Sequence, residues 1–227
     1  MGDIVYQITT WILPALVAIT LHEAAHGWMA SRLGDDTALR LGRVTFNPLK
    51  HVDPFGTVIL PAMLLLVSGG RMMFGFAKPV PVNFGRLRHP RRDMVLVAAA
   101  GPGINIAMAV VAAALVVHLP ADPSELLEWI GYNLFNAMWI NVLLAVFNML
   151  PLPPLDGGRV AVGLLPNALA RPLASLEPYG FFIILGLVFI LPMLGRQIGV
   201  ELSVMDWLVI RPAEWISRLI FGLVGPA

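Results

Sequence analysis

Of 227 residues, 58% are hydrophobic and only 13% are charged, against about a quarter charged in an average soluble domain. The chain therefore lacks the polar material to cover a water-exposed surface and reads as a membrane protein with the lipid bilayer as its solvent. A formal net charge of +1 provides no broad cationic face and excludes a nucleic-acid partner. The absence of cysteine excludes disulfides, thiolate metal sites and cysteine nucleophiles, leaving His, Asp and Glu to hold any tightly bound transition metal.

The expected fold is an all-α multi-pass membrane protein. A bilayer core about 30 Å thick needs about 20 apolar residues as helix, and the runs free of Asp, Glu, Lys and Arg place the spans. Residues 4–21 run uncharged into His22 and the helical pattern continues, predicting a first helix over about 4–33. It is too long, and has too few basic residues ahead of it, for a cleaved signal peptide. In residues 54–70 the breakers Pro54, Gly56 and Pro61 leave about a dozen helical residues, typical of a re-entrant or interfacial segment, and a re-entrant hairpin is expected over about 54–83. Further helices are predicted over about 94–119, 129–150 and 178–195. The tail 203–224 carries Asp206, Arg211, Glu214 and Arg218 at near-helical spacing, equally compatible with an interfacial amphipathic helix and another span. Residues 1–160 form one expected unit and 161–227 a pair of C-terminal helices. No internal repeat, low-complexity tract or attached soluble domain is visible.

Loop charge orients the chain. Arg32, Arg40, Arg43 and Lys50 precede residue 54, and six more basic residues lie between Arg71 and Arg92, whereas the loop 119–128 carries Asp122, Glu125 and Glu128. The positive-inside rule puts both basic loops in the cytoplasm. Both flanks of 54–70 are then on one side, as a re-entrant hairpin requires.

Within the first apolar helix stands His22-Glu23-Ala24-Ala25-His26. Titratable groups at that depth cost several kcal/mol unless partnered. Positions i and i+4 share a helical face, so the two imidazoles can present nitrogens to one metal with Glu23 beside it to take a proton from water. A catalytic zinc normally has three protein ligands. Arg32 occupies the place of the third histidine in the extended soluble-protease pattern, and Asp35, Asp36, His51 and Asp53 lie in the basic loop, where solvation is expected. Asp156 is the better third ligand: it follows Pro151-Leu152-Pro153-Pro154-Leu155, whose prolines must unwind the backbone, and Gly157 and Gly158 allow close approach of another segment. The histidines lie about 9 to 15 Å of helical rise before Arg32, and Asp156 follows a helix ending on the same side, so the two pieces can meet at one depth.

His22-Glu23-x-x-His26, with Asn148-x-x-Pro151 and Leu155-Asp156-Gly157, resembles the site-2 protease family of intramembrane zinc metalloproteases. Gly101-Pro102-x-x-Asn105, the stretch Phe46 to Gly56 and Lys78-Pro79-Val80-Pro81-Val82-Asn83 match as well, so the resemblance covers residues 20–160. It implies a three-helix catalytic core with additional helices, one Zn²⁺ per chain held by His22, His26 and Asp156, Glu23 as general base, and a transmembrane protein client cut in the cell membrane toward the cytoplasmic side. The form is that of the short members without PDZ or CBS domains. The resemblance also suggests that the 54–83 hairpin pairs with an unwound client by strand addition. Asn148 is a candidate catalytic residue, holding the client backbone or the developing oxyanion, with an interhelical hydrogen bond as the alternative. His51 is a candidate fourth or transient ligand. Asn133, Asn136 and Asn141 are expected to tie helices together, and Gly101 and Asn105 to let the second helix pack closely on the first. A divalent-metal transporter, which would need ligands stepping across the bilayer, and a proteolytically silent client-binding homologue are the competing readings.

Overall fold

A computed structural model describes residues 2–67 and 75–225, with side chains from Val5 onward. Residues 68–74, where the tip of the expected hairpin with Met72 and Met73 falls, lie outside the described residues. The regular elements of the described chain are all helices, with no strand among the described residues. Helix α1 (Gly2–Arg32) is followed by a single turn, α2 (Thr37–Arg40), then by a wide π-type turn over Pro54–Ile59 leading into α3 (Leu60–Val67). An extended return leads to α4 (Pro90–Val116), and a short loop to α5 (Glu125–Asn148). Beyond these come α6 (Asp156–Leu164) and α7 (Asn167–Ala174), then α8 (Gly180–Leu185) and α9 (Leu191–Gln197) joined by a wide turn, and finally α10 (Arg211–Val224).

Among the described residues four stretches are long and apolar enough to cross a membrane: Val5–Arg32, Pro90–Val116, Glu125–Asn148 and Asn167–Gln197. Each begins earlier than or close to where the uncharged runs begin. Helix α4 starts at Pro90, whose fixed φ and missing N–H suit a first helical position, and so takes Arg91, Arg92 and Asp93 into its first turn. Helix α5 begins at Glu125, with Glu125 and Glu128 facing its positive end. It stops at Asn148 because Pro151, Pro153 and Pro154 follow. The fourth stretch reaches back to Asn167, well before the expected 178.

Helix α6 was not expected. The prolines unwind residues 149–155, but the backbone does not stay irregular through Asp156: that residue opens α6, and Gly157 and Gly158 lie in its first turn. A Cβ on Gly157 would stand 2.1 Å from the Met149 carbonyl oxygen, and one on Gly158 2.2 Å from the Pro153 nitrogen. The glycines therefore let α6 fold back against its own leading loop.

Helices α1, α4 and α5 pack on one another, α6 leans on α4, and α10 runs along α4 and α5. The contacts are made by small residues, including Ala18, Ala24 and Ala30 of α1 and Ala98, Ala109, Ala112 and Ala113 of α4, all buried. Small side chains let backbones approach where lipid gives no hydrophobic drive to associate. Large apolar groups such as Leu13, Val17, Val111, Leu115, Phe135 and Ile190 point outward, the inverse of a soluble domain. Helix α10 buries Ala213 and Ile220 against Ala109, Ala112, Ala113, Met138 and Val142, and turns Arg211, Glu214 and Arg218 outward.

Residues 76–78 run beside the start of the 54–67 segment. The Phe76 N–H donates to the Gly56 carbonyl (3.0 Å) and the Lys78 N–H to the His51 carbonyl (2.9 Å). At its start Asp53 caps the turn, accepting from Phe55 N (3.0 Å) and Gly56 N (2.7 Å).

Candidate metal centre

Helix α1 turns His22 and His26 toward α4, where both are buried. From the other side the start of α6 brings in Asp156, also buried. The Nε2 atoms of His22 and His26 are 3.1 Å apart. Asp156 Oδ2 stands 3.2 Å from the first and 3.3 Å from the second. Two segments separated by some 130 residues of sequence thus place three ligating atoms in a nearly equilateral triangle. Among the described residues this is the group of His, Asp and Glu able to hold a metal ion.

The donor set fits a zinc ion. Ligands about 2.0–2.1 Å from a tetrahedral zinc stand about 3.3 Å from each other, which matches all three sides. His22 Nδ1 lies 2.5 Å from Asn105 Oδ1, and His26 Nδ1 lies 2.7 Å from the Val97 carbonyl oxygen. Both Nδ1 atoms therefore carry hydrogen and donate, leaving the two Nε2 lone pairs aimed at the carboxylate. Asp156 Oδ2 is buried without a hydrogen-bond partner. Three converging lone pairs repel one another unless a cation joins them, and three protein ligands leave a position for water.

Gly101 makes this approach possible. A Cβ there would lie 2.4 Å from His26 Nε2 and 2.7 Å from His22 Cε1. At the far end of α6, Arg91 of α4 donates from Nε to the Gly163 carbonyl and from Nη1 to Asn167 Oδ1, each at 3.0 Å, and from Nη2 to the Leu165 carbonyl. The helix carrying Asp156 is thereby tied to the helix behind the histidines.

Glu23 is half-buried beside the triangle, and its Oε2 accepts from the Val80 N–H at 2.7 Å. The extended return thus passes directly over this carboxylate. Several of its described donors are already engaged. The N–H groups of Phe76, Lys78 and Val80 are taken by Gly56, His51 and Glu23, and Pro79 and Pro81 have none.

Asn148 is at the last turn of α5, where its Nδ2 donates to the Leu144 carbonyl of its own helix (2.9 Å). His51 does not join the three ligating atoms; its Nε2 lies 3.3 Å from the Thr45 carbonyl oxygen. The loop acids are not solvated as expected but hold the loop together. Asp35 is fully buried, accepting from Thr37 N (3.1 Å), the Thr37 hydroxyl and Asn83 N (2.6 Å), while Asp36 pairs with Arg40 and Arg86. Burial pushes the Asp35 carboxyl up, but the hydrogen bonds from Thr37 and Asn83, with Arg86 nearby, outweigh it and hold the group below the usual carboxylate range. Asn136 ties α5 to α1 through the Thr10 carbonyl (2.9 Å). The contact between Asn105 and His22 goes beyond the close packing expected there. Its sequence signal was a fully amide-bearing side chain within an otherwise apolar span.

Residues 116–191, which include α5 and the Asp156 segment, match Peptidase family M50. The chain is 41% identical over 186 residues, 80% of both chains, to the protein named "Putative zinc metalloprotease YwhC" from Bacillus subtilis. The chain belongs to family M50, the site-2 protease family. A second relative of this M50 peptidase, named for zinc metalloprotease Rip2 of Mycolicibacterium smegmatis, is 32% identical over 197 residues, covering 86% of this chain and 71% of the relative. A third, named for zinc metalloprotease MJ0611 of Methanocaldococcus jannaschii, is 48% identical over 64 residues. No solved structure matches the chain. Membership makes the protein a multi-pass membrane zinc metalloendopeptidase.

Proposed function

We propose that this M50 peptidase hydrolyses peptide bonds in or near transmembrane segments of client membrane proteins, in the manner of regulated intramembrane proteolysis, from a centre opening toward the cytoplasm. The observation that carries the reading is the buried triangle of His22, His26 and Asp156, with sides of 3.1 to 3.3 Å, its two histidines on a helix apolar enough to span a bilayer and Glu23 next in sequence to one of them. His22, His26 and Asp156 hold the zinc, which when bound supplies a Lewis acid and lowers the pKa of water to about 7.

Glu23 accepts the proton of the attacking water and returns it to the leaving amide nitrogen, so the peptide bond breaks with proton balance kept by one side chain. The Val80 N–H holds one carboxylate oxygen of Glu23, leaving the other for the water. Asn148 sits where α5 unwinds and contributes an amide to the client backbone without adding charge at membrane depth. The described segments 54–67 and 75–83 line the cytoplasmic side of the centre in this reading, the second bringing Val80 to Glu23. A client helix has its peptide groups hydrogen-bonded internally and must open locally before attack. Transport is disfavoured because one group of potential ligands, not a series across the bilayer, is present among the described residues.

The test uses the full chain in nanodiscs with a transmembrane peptide as client. Wild type should hold one zinc per chain and cleave, and a chelator should abolish cleavage. Glu23→Gln should keep the zinc and lose about 10²- to 10⁴-fold in rate. Unchanged cleavage by that variant would remove Glu23 from the chemistry.

A further inference from the structure

We propose that Asn105 and Asn141 are positioning residues for the metal centre, a directed relay of hydrogen bonds from α5 through α4 that fixes which nitrogen of His22 carries hydrogen. It rests on the zinc reading above and adds to it the residues that set the ligand's tautomer.

The relay can be followed from its far end. Asn141 Nδ2 donates to the Ala137 carbonyl oxygen at 2.8 Å. A carbonyl can only accept, so the amide of Asn141 is oriented with its oxygen the other way, and that Oδ1 receives Asn105 Nδ2 at 2.6 Å. The same nitrogen reaches the Ala18 carbonyl oxygen of α1 at 3.3 Å. With both hydrogens of its NH₂ facing acceptors, Asn105 must present Oδ1 to His22 Nδ1, at 2.5 Å. His22 then carries hydrogen on Nδ1 and a lone pair on Nε2, the atom that faces Asp156 and His26. Reversing either amide would bring donors or acceptors face to face at a site where Asn105 and Asn141 are 0% and 2% exposed, so water cannot repair the mismatch.

The two histidines are not held alike. His26 Nδ1 is met by a main-chain carbonyl, that of Val97, which no substitution removes. His22 depends on a side chain, and that side chain depends on another one helix away. Outer partners of this kind orient the ring and raise its basicity as a ligand, and losing one typically costs about 10- to 100-fold in metal affinity.

The experiment measures zinc affinity of the full chain in detergent by competition with a chromophoric chelator, and the visible absorption of the cobalt-substituted protein. Asn105→Leu should weaken zinc about 10- to 100-fold and alter the cobalt spectrum. Asn141→Leu should weaken it less, and the double variant should be no weaker than Asn105→Leu alone, since both act along one path. Asn105→Asp keeps an acceptor for Nδ1–H but sets its second oxygen against Asn141 Oδ1 and the Ala18 carbonyl, so it should recover part, not all, of the affinity lost in Asn105→Leu. That variant and Asn141→Leu carry the test if Asn105→Leu does not fold. The inference is overturned if Asn105→Leu binds zinc as tightly as wild type, if Asn105→Asp loses as much as the leucine variant, or if the losses simply add. A wild type that binds no zinc would instead overturn the zinc reading itself.

Discussion

Replacing Gly101 by alanine perturbs the centre without touching a ligand. The added Cβ would stand 2.4 Å from His26 Nε2, 2.6 Å from His26 Cε1 and 2.7 Å from His22 Cε1, against an optimal non-bonded separation of about 3.5 Å. About 1 Å of overlap must be relieved. The rings cannot swing away freely, because Asn105 and the Val97 carbonyl hold their Nδ1 atoms at 2.5 and 2.7 Å. If the rings yield, the nitrogens move several times farther than the roughly 0.2 Å a metal site tolerates. If α4 yields instead, the packing against α1 is lost at about 1–3 kcal/mol. Either way zinc content should fall from one per chain toward zero and cleavage should fall with it. Gly103→Ala is the control: it lies on the same helix, and its Cβ meets nothing within 4 Å, so metal content and activity should match wild type. The assay is metal content of purified protein by mass spectrometry beside cleavage of the client peptide. Full zinc in Gly101→Ala would refute the claim that the imidazoles are packed against that helix.

Asp156→Asn keeps the shape of the side chain but removes the charge that joins the two imidazoles, and chelator competition should show zinc bound at least about 10-fold more weakly. Arg91→Ala removes two hydrogen bonds to the end of α6 and one to the start of α7; since Arg91 is exposed, the expected loss of thermal stability corresponds to about 1 kcal/mol, with zinc released faster than from wild type. For Asp35 the folded-state pKa is lowered, so its contribution to stability is complete above the unfolded value of about 3.9 and is lost as pH falls through the lower folded value. Thermal unfolding followed from pH 6 downward should show that extra acid loss in wild type, and Asp35→Asn should lack it while being less stable near neutrality.

Much of the site was legible because its residues are expensive where they stand. A His-Glu-x-x-His pentad inside an apolar helix needs a cation to compensate it, and the three prolines before Asp156 announced a break in an otherwise continuous span. The loop acids misled, because composition alone makes a charged loop look solvated. Asp35 is instead fully buried, since Thr37 and Asn83 satisfy its oxygens.

The amino-acid order alone determined that the chain suits a bilayer, where its first three spans fall, and which side chains could hold a metal, since burying apolar area and the cost of charge in lipid act residue by residue. Tertiary structure decided what depends on distance between segments far apart in the chain. It set Asp156 3.2 and 3.3 Å from the imidazoles, Val80 over Glu23, and Asn105 behind His22. Hydrogen bonds and coordination act over about 2 to 3 Å, and only the packing of α1, α4, α5 and α6 brings those atoms within that range.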